Sequence, residues 1–155
     1  MGVKFQANSL SSISILCSII LMLTFFTTPS LSTDNSTSSP YDFLEEFNIP
    51  RGILPQGATN YTFDNSTSKF TINLENACTY KIKDVTLKFN PTITGIITNN
   101  SISSFEGVHL KVIIEIPITK VSIEKDLVKF KAAGIIPINI PTILYKFSLP
   151  CLNLS

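Results

Sequence analysis

"KFTINLE", residues 69–75, sets Phe70, Ile72 and Leu74 on one side of the chain and Lys69, Thr71, Asn73 and Glu75 on the other. A period of two is that of a strand with one face on a core and one in water. The neighbouring residues extend the pattern. Upstream, "FDNSTSKF" (63–70) is turn chemistry, so Tyr61–Phe63 and Lys69–Glu75 read as a hairpin. Downstream, "YKIKDVTLKF" (80–89) sets Tyr80, Ile82, Val85, Leu87 and Phe89 against Lys81, Lys83, Thr86 and Lys88, a solvated, lysine-rich face.

Farther along, "NPTITGIITNNSISS" (90–104) reads as a break at Pro91, a close approach or bulge at Gly95 and a turn at Asn99–Asn100. "GVHLKVIIEIPITKVSIEKD" (107–126) alternates through Val108, Leu110, Val112, Ile114, Ile116 and Ile118 and reads as the longest β segment. Pro117 cannot donate to a ladder, so it marks an edge or a bulge there. "LVKFKAAGII" and "TILYKFSL" are shorter candidates, punctuated by Gly134, Pro137 and Pro141.

One helix precedes the strands. In "SPYDFLEEF" (39–47) Ser39 can cap, Pro40 suits the first helical position, and Tyr41, Leu44 and Phe47 share a face. The spacing predicts a helix over Pro40 to Asn48. In the corner that follows, "IPRGILPQG" (49–57), Pro50 ends the helix, Gly52 and Gly57 permit angles other residues resist, and Ile53 and Leu54 can plug inward. The fold class is therefore mainly β (α+β): a curled antiparallel sheet or pseudo-barrel with one short N-terminal helix.

The chain has 155 residues, 44% hydrophobic and 15% charged, which suits one globular domain over residues 40–155. Ahead of it, Lys4, the apolar run Ile13–Phe26, and Ser30 and Ser32 follow the order of a secretory signal peptide, cleaved after Ser32. Residues 33–39 are a polar, flexible lead-in. The apolar run falls short of the roughly 20 residues of a bilayer span, so no transmembrane anchor is expected in the mature chain. Without Lys4, 11 basic side chains balance 11 acidic ones, and nothing attracts nucleic acid or an anionic membrane by charge alone.

Cys17 leaves with the signal, and Cys78 and Cys151 remain as the one pair in a chain bound for an oxidising compartment; a disulfide between them is expected. Sequons at Asn35, Asn60, Asn65 and Asn99 are glycosylation candidates, with Asn65 in "DNSTS" the most accessible; a fifth, at Asn153, is too near the end to favour.

Enzyme chemistry finds few residues. The one histidine, His109, alternates with Val108 and Leu110, which sets it on the lysine-bearing face as an exposed surface residue rather than a base. One histidine and two paired cysteines make no metal site, and no cofactor motif is present. Glu45 and Glu46 point apart on a helix as charges of its first turns. What remains is an excess of branched aliphatics in the second half, Ile93 to Ile143. Either both faces of the sheet are covered, as in an ordinary core, or some of this surface lines a cavity for an apolar ligand.

From Tyr41 to Cys151 the chain resembles the plant domain-of-unknown-function 538 family. The likeness rests on "YDFLEEFNIPRGILPQGATNYTF", with a Pro-x-Gly-Leu-Leu-Pro corner matched by Pro50, Gly52, Ile53, Leu54 and Pro55. It continues in "LENACTYKI", in Thr94-Gly95, in Gly107-Val108 and in "IPITKVSI", and ends at Cys151. "KVIIEIPIT" departs from it, being aliphatic where many members carry an aromatic. The resemblance implies a β pseudo-barrel with a helix, similar to the lipid-binding module of bactericidal/permeability-increasing protein. For function it implies binding of lipid or another amphipathic molecule, or hydrolysis of pigment-type esters, in plant stress and development. It brings no catalytic residues.

The expectation is a secreted, non-enzymatic protein of the extracellular space or cell wall that binds a lipid or other apolar small molecule. Leu44, Ile53 and Leu54 are the candidate ligand contacts. The alternatives are a hydrolase of hydrophobic esters and a glycosylated cell-wall interaction module.

Overall fold

In the computed structural model of the chain, residues 38–152 are described. The segment expected to be a signal peptide, Asn35, most of the expected lead-in and Asn153 lie outside them. The described part holds one short helix, α1 (Pro40–Glu46), and eight strands. These are β1 (Ala58–Asp64), β2 (Lys69–Leu74), β3 (Cys78–Ile82), β4 (Val85–Thr98), β5 (Ser101–Lys111), β6 (Glu115–Glu124), β7 (Leu127–Ala132) and β8 (Ile136–Pro141). All pairs are antiparallel, in the order β1-β2-β4-β5-β6-β7-β8, and the sheet is curled but open, with β1 and β8 at its ends and the short β3 paired on one side only. The fourteen-residue β4 holds two partners end to end on one flank: β3 on its first half and β2 on its second.

The hairpin of β1 and β2 forms as the "KFTINLE" pattern predicts, with Phe70, Ile72 and Leu74 buried. Two runs that read as continuous are folded back instead. "YKIKDVTLKF" turns at Lys83–Asp84, where Lys83 takes φ 54°, and the long segment from Gly107 turns at Val112–Ile114. Pro91 does not end a strand, because β4 runs through it as a bulge. Phe89 pairs with Val108 and Thr94 with Glu106, so β4 spends more residues than β5 between these rungs. Gly107 lies under that bulge at φ 87°, where a β-carbon would stand 2.3 Å from the Thr92 carbonyl oxygen. Gly95 is the close approach expected of it, since a β-carbon there would meet Phe70 and Ile102 at 2.9 Å. Pro117 sits inside the sheet, beside the irregular stretch of the β5–β6 pairing, and not at an edge.

The helix starts where Ser39 and Pro40 place it. Ser39 and Asp42 form a reciprocal capping box, and the Ser39 hydroxyl donates to Asp42 Oδ2 at 2.7 Å. It ends earlier than Asn48. Asn48 itself enters the left-handed region at φ 56°, a conformation asparagine tolerates, and stops the helix before Pro50 can. Phe43 and Leu44 face the sheet. Phe43 stacks on Tyr61 at 4.5 Å and touches Phe63 and Phe70, which docks α1 on β1 and β2. The core then runs through Ile72, Leu87, Phe89, Ile93, Val121 and Phe130.

Candidate functional site

The corner from Ile49 to Gly57 gathers more long-range bonds than its length suggests. Tyr41, on α1, donates its hydroxyl to the Pro55 carbonyl and accepts from the Ala58 amide. Tyr80, on β3, donates to the Gly52 carbonyl at 3.0 Å, with the Ile53 carbonyl at 3.3 Å. The C-terminal segment reaches the same place, since Ser148 Oγ donates to the Arg51 carbonyl and the Gln56 amide donates to the Leu149 carbonyl. The corner therefore joins helix, sheet and tail. Gly52 is required there for space, because its α-carbon lies against the backbone of Tyr145 and Phe147; only Gly57, at φ 99°, uses glycine's left-handed freedom.

Cys78 and Cys151 form the expected disulfide, with α-carbons 5.3 Å apart. It fastens the tail to the start of β3, beside the Leu152 amide that donates to the Thr79 carbonyl.

Leu44, Ile53 and Leu54, the candidate ligand contacts, are no more than 2% exposed and belong to the packed core. A cleft opens on the other side of the corner, between Pro50–Arg51 and a 3-10 helix at Thr142–Tyr145, with a volume of about 520 Å³. Pro50, Pro141, Ile143 and Tyr145 supply its apolar walls. Glu45, Arg51, Asp126 and Lys146 supply its charges. Arg51 is engaged, with Glu45 and Asp42 each at 2.8 Å, and the bond it donates to Glu45 holds its guanidinium pKa above the ordinary value. Lys146 has no carboxylate within salt-bridge distance among the described residues, and its ammonium lies 5.7 Å from the Phe147 ring centre. A smaller cleft of about 190 Å³ lies between Gln56, Glu75 and Cys151.

Two tyrosines are fully buried under this region. Burial raises both phenol pKa values, and the neighbouring Tyr145 adds to the shift at Tyr80. They differ in satisfaction: the Tyr80 hydroxyl is bonded, whereas the Tyr145 hydroxyl is buried with no partner among the described residues.

His109 is half-buried rather than exposed, and its Nδ1 is buried without a hydrogen bond among the described residues. It pairs across the sheet with Lys88 and Pro117, and no serine, threonine or cysteine bonds to it among the described residues. It also lies on β5 near the turn at Val112, away from the cleft. No cluster of His, Cys, Asp and Glu among the described residues could hold a metal ion, and no described helix is long and apolar enough to cross a membrane.

The family described as "Protein of unknown function, DUF538" matches residues 40–146, from the first residue of α1 to just past the 3-10 helix at Thr142–Tyr145. The chain belongs to the DUF538 family. An uncharacterized protein of Arabidopsis thaliana is 37% identical over 92 residues, which is 59% of this chain and 54% of that relative. The DUF538 match thus covers the corner, the disulfide's first cysteine and both walls of the cleft.

Sequence reasoning found the corner and missed the cleft. One wall comes from "TILYKFSL" (142–149), which reads as a strand and begins as a 3-10 helix at Thr142–Tyr145 after Pro141. The excess of isoleucine divides: Ile93, Ile97, Ile118 and Ile140 are core and Ile143 lines the cleft, while Ile96, Ile113, Ile114, Ile135 and Ile136 are exposed to solvent.

Proposed function

We propose that this DUF538 chain is a secreted, non-enzymatic protein that binds a small amphipathic molecule of lipid type in the cleft between the corner and the Thr142–Tyr145 helix. The cleft itself carries the reading, because its volume falls in the range of about 300–1,000 Å³ that small-molecule sites use. Pro50, Pro141 and Ile143 would cover an apolar body. Lys146, with no carboxylate bound to it, would meet an anionic head, while Arg51 stays with Glu45 and Asp42. Export is supported by the signal-like order of Lys4, Ile13–Phe26, Ser30 and Ser32, and by a disulfide of the kind that persists in oxidising compartments.

Oleate is a suitable probe. It should raise the Tm of the wild-type protein, Ile143→Asp should abolish the rise, and Lys146→Glu should reduce it. A wild-type Tm indifferent to oleate, or a rise that Ile143→Asp leaves intact, overturns the assignment to this cleft.

A further inference from the structure

Three turns share one end of the sheet: Lys83–Asp84, Val112–Ile114 and Ala133–Ile135. The last rungs before them, Ile82 with Val85, Lys111 with Glu115 and Ala132 with Ile136, fix that placement. Turns normally carry Gly, which tolerates positive φ, or Asn, Asp and Ser, whose side chains bond the nearby backbone. Two of these carry branched aliphatics instead. Ile113 is 102% exposed, Ile135 83% and Ile114 67%, with Val112 and Ile136 also in solvent. Single exposed aliphatics need no explanation, but five at one end form a protruding apolar tip.

Lysines surround the tip. Lys111 precedes Val112, Lys131 lies two residues before Ala133, and Lys83 occupies the third turn; none has a carboxylate partner among the described residues. The acids at this end are Glu115, which Lys88 binds at 2.7 Å, and Asp84. The described sequons keep away from it. Asn65 and Asn99 lie in the β1–β2 and β4–β5 turns at the opposite end, and Asn60 lies along β1.

The geometry points to a membrane-docking end: Val112–Ile114 and Ile135–Ile136 enter the headgroup region of an anionic lipid bilayer while Lys83, Lys111 and Lys131 meet its phosphates. An apolar projection inside a cationic collar matches the depth profile of an interface, apolar below and anionic at the surface. Amphipathic lysine stems can lie along the apolar surface with their charges outward. The inference rests on different residues from the cleft and stands or falls apart from it.

The chain contains no tryptophan, so Ile113→Trp installs a single local reporter in the full-length protein. Its emission should shift to the blue on addition of phosphatidylcholine vesicles containing phosphatidylglycerol. The shift should be small with phosphatidylcholine alone, and Lys111→Glu with Lys131→Glu should weaken the partition about tenfold or more. Leu127→Trp, in the turn region at the other end of the sheet, should not shift. An unmoved Ile113→Trp spectrum, equal shifts at both positions, or indifference to phosphatidylglycerol each overturns the proposal.

Discussion

Gly52 and Tyr145 meet backbone to backbone: a β-carbon at Gly52 would stand 2.2 Å from the Tyr145 carbonyl oxygen. No rotamer change relieves that clash. The corner and the C-terminal 3-10 helix hold their spacing, and so the mouth of the cleft, through the one residue without a side chain.

Gly52→Ala is therefore expected to destabilise by about 3 kcal/mol, the upper end of overpacking costs, as read by urea denaturation. Gly134→Ala, at φ 73° with open space around it, should cost only about 1 kcal/mol. Equal costs at the two positions would show that the corner yields.

The two buried tyrosines should respond to hydroxyl removal with opposite signs. Tyr80→Phe loses the bond to Gly52 and should cost about 1–2 kcal/mol. Tyr145→Phe removes a buried hydroxyl that has no partner and should be neutral or stabilising by about 1 kcal/mol. Thermal denaturation of both variants measures this, and a destabilised Tyr145→Phe would mean that the hydroxyl has a bonded role.

The disulfide spans 73 residues, and in the chain-entropy account its removal by Cys78→Ser with Cys151→Ser costs about 4 kcal/mol. Loss should appear first at the tail. Amide exchange at Leu152 and Gln56, whose amides bond Thr79 and Leu149, should accelerate before exchange in β4 does.

Asp64 gives a pH signature. Hydrogen bonds from the Ser66 hydroxyl, the Thr67 hydroxyl and the Ser66 amide lower its carboxyl pKa from 3.8 to about 2. A depressed folded value means that its contribution is complete above pH 3.8 and is lost as pH falls toward 2. Carboxyl NMR should find the folded midpoint near 2, and Asp64→Asn should flatten the acid limb of the stability curve. A midpoint at 3.8 would remove the turn as the cause.

The helix cap, the first hairpin and the cysteine pair were legible because each depends on neighbours in sequence or on a count. Ser39 before Pro40 needs no tertiary knowledge, nor does the alternation of Phe70, Ile72 and Leu74. The turn at Val112–Ile114 was hidden because Leu110, Val112, Ile114 and Ile116 keep strand periodicity straight through it, with no Gly, Pro or Asn to mark the reversal. Three aliphatics in succession were the available signal, since an alternating strand cannot hide all three. Leu44, Ile53 and Leu54 illustrate a different limit. Pattern identifies an inward-facing apolar residue, but a core and a cavity wall use the same residues, and only packing shows these three in the core. His109 is half-buried because its strand lies between β4 and β6, a neighbourhood that local alternation does not reveal.

An open sheet has two borders where a further strand could add, and β3 leaves a short third flank that the tail crosses, the Leu152 amide bonding the Thr79 carbonyl. On β8, "IPINIP", prolines 137 and 141 remove amide donors from the last strand. On β1 the pairing is broken by a bulge between Ala58 and Asn60, and the exposed residues there are polar. Neither border offers an unbroken ladder. A chain with this much isoleucine can thus keep its sheet open without becoming a template for fibres.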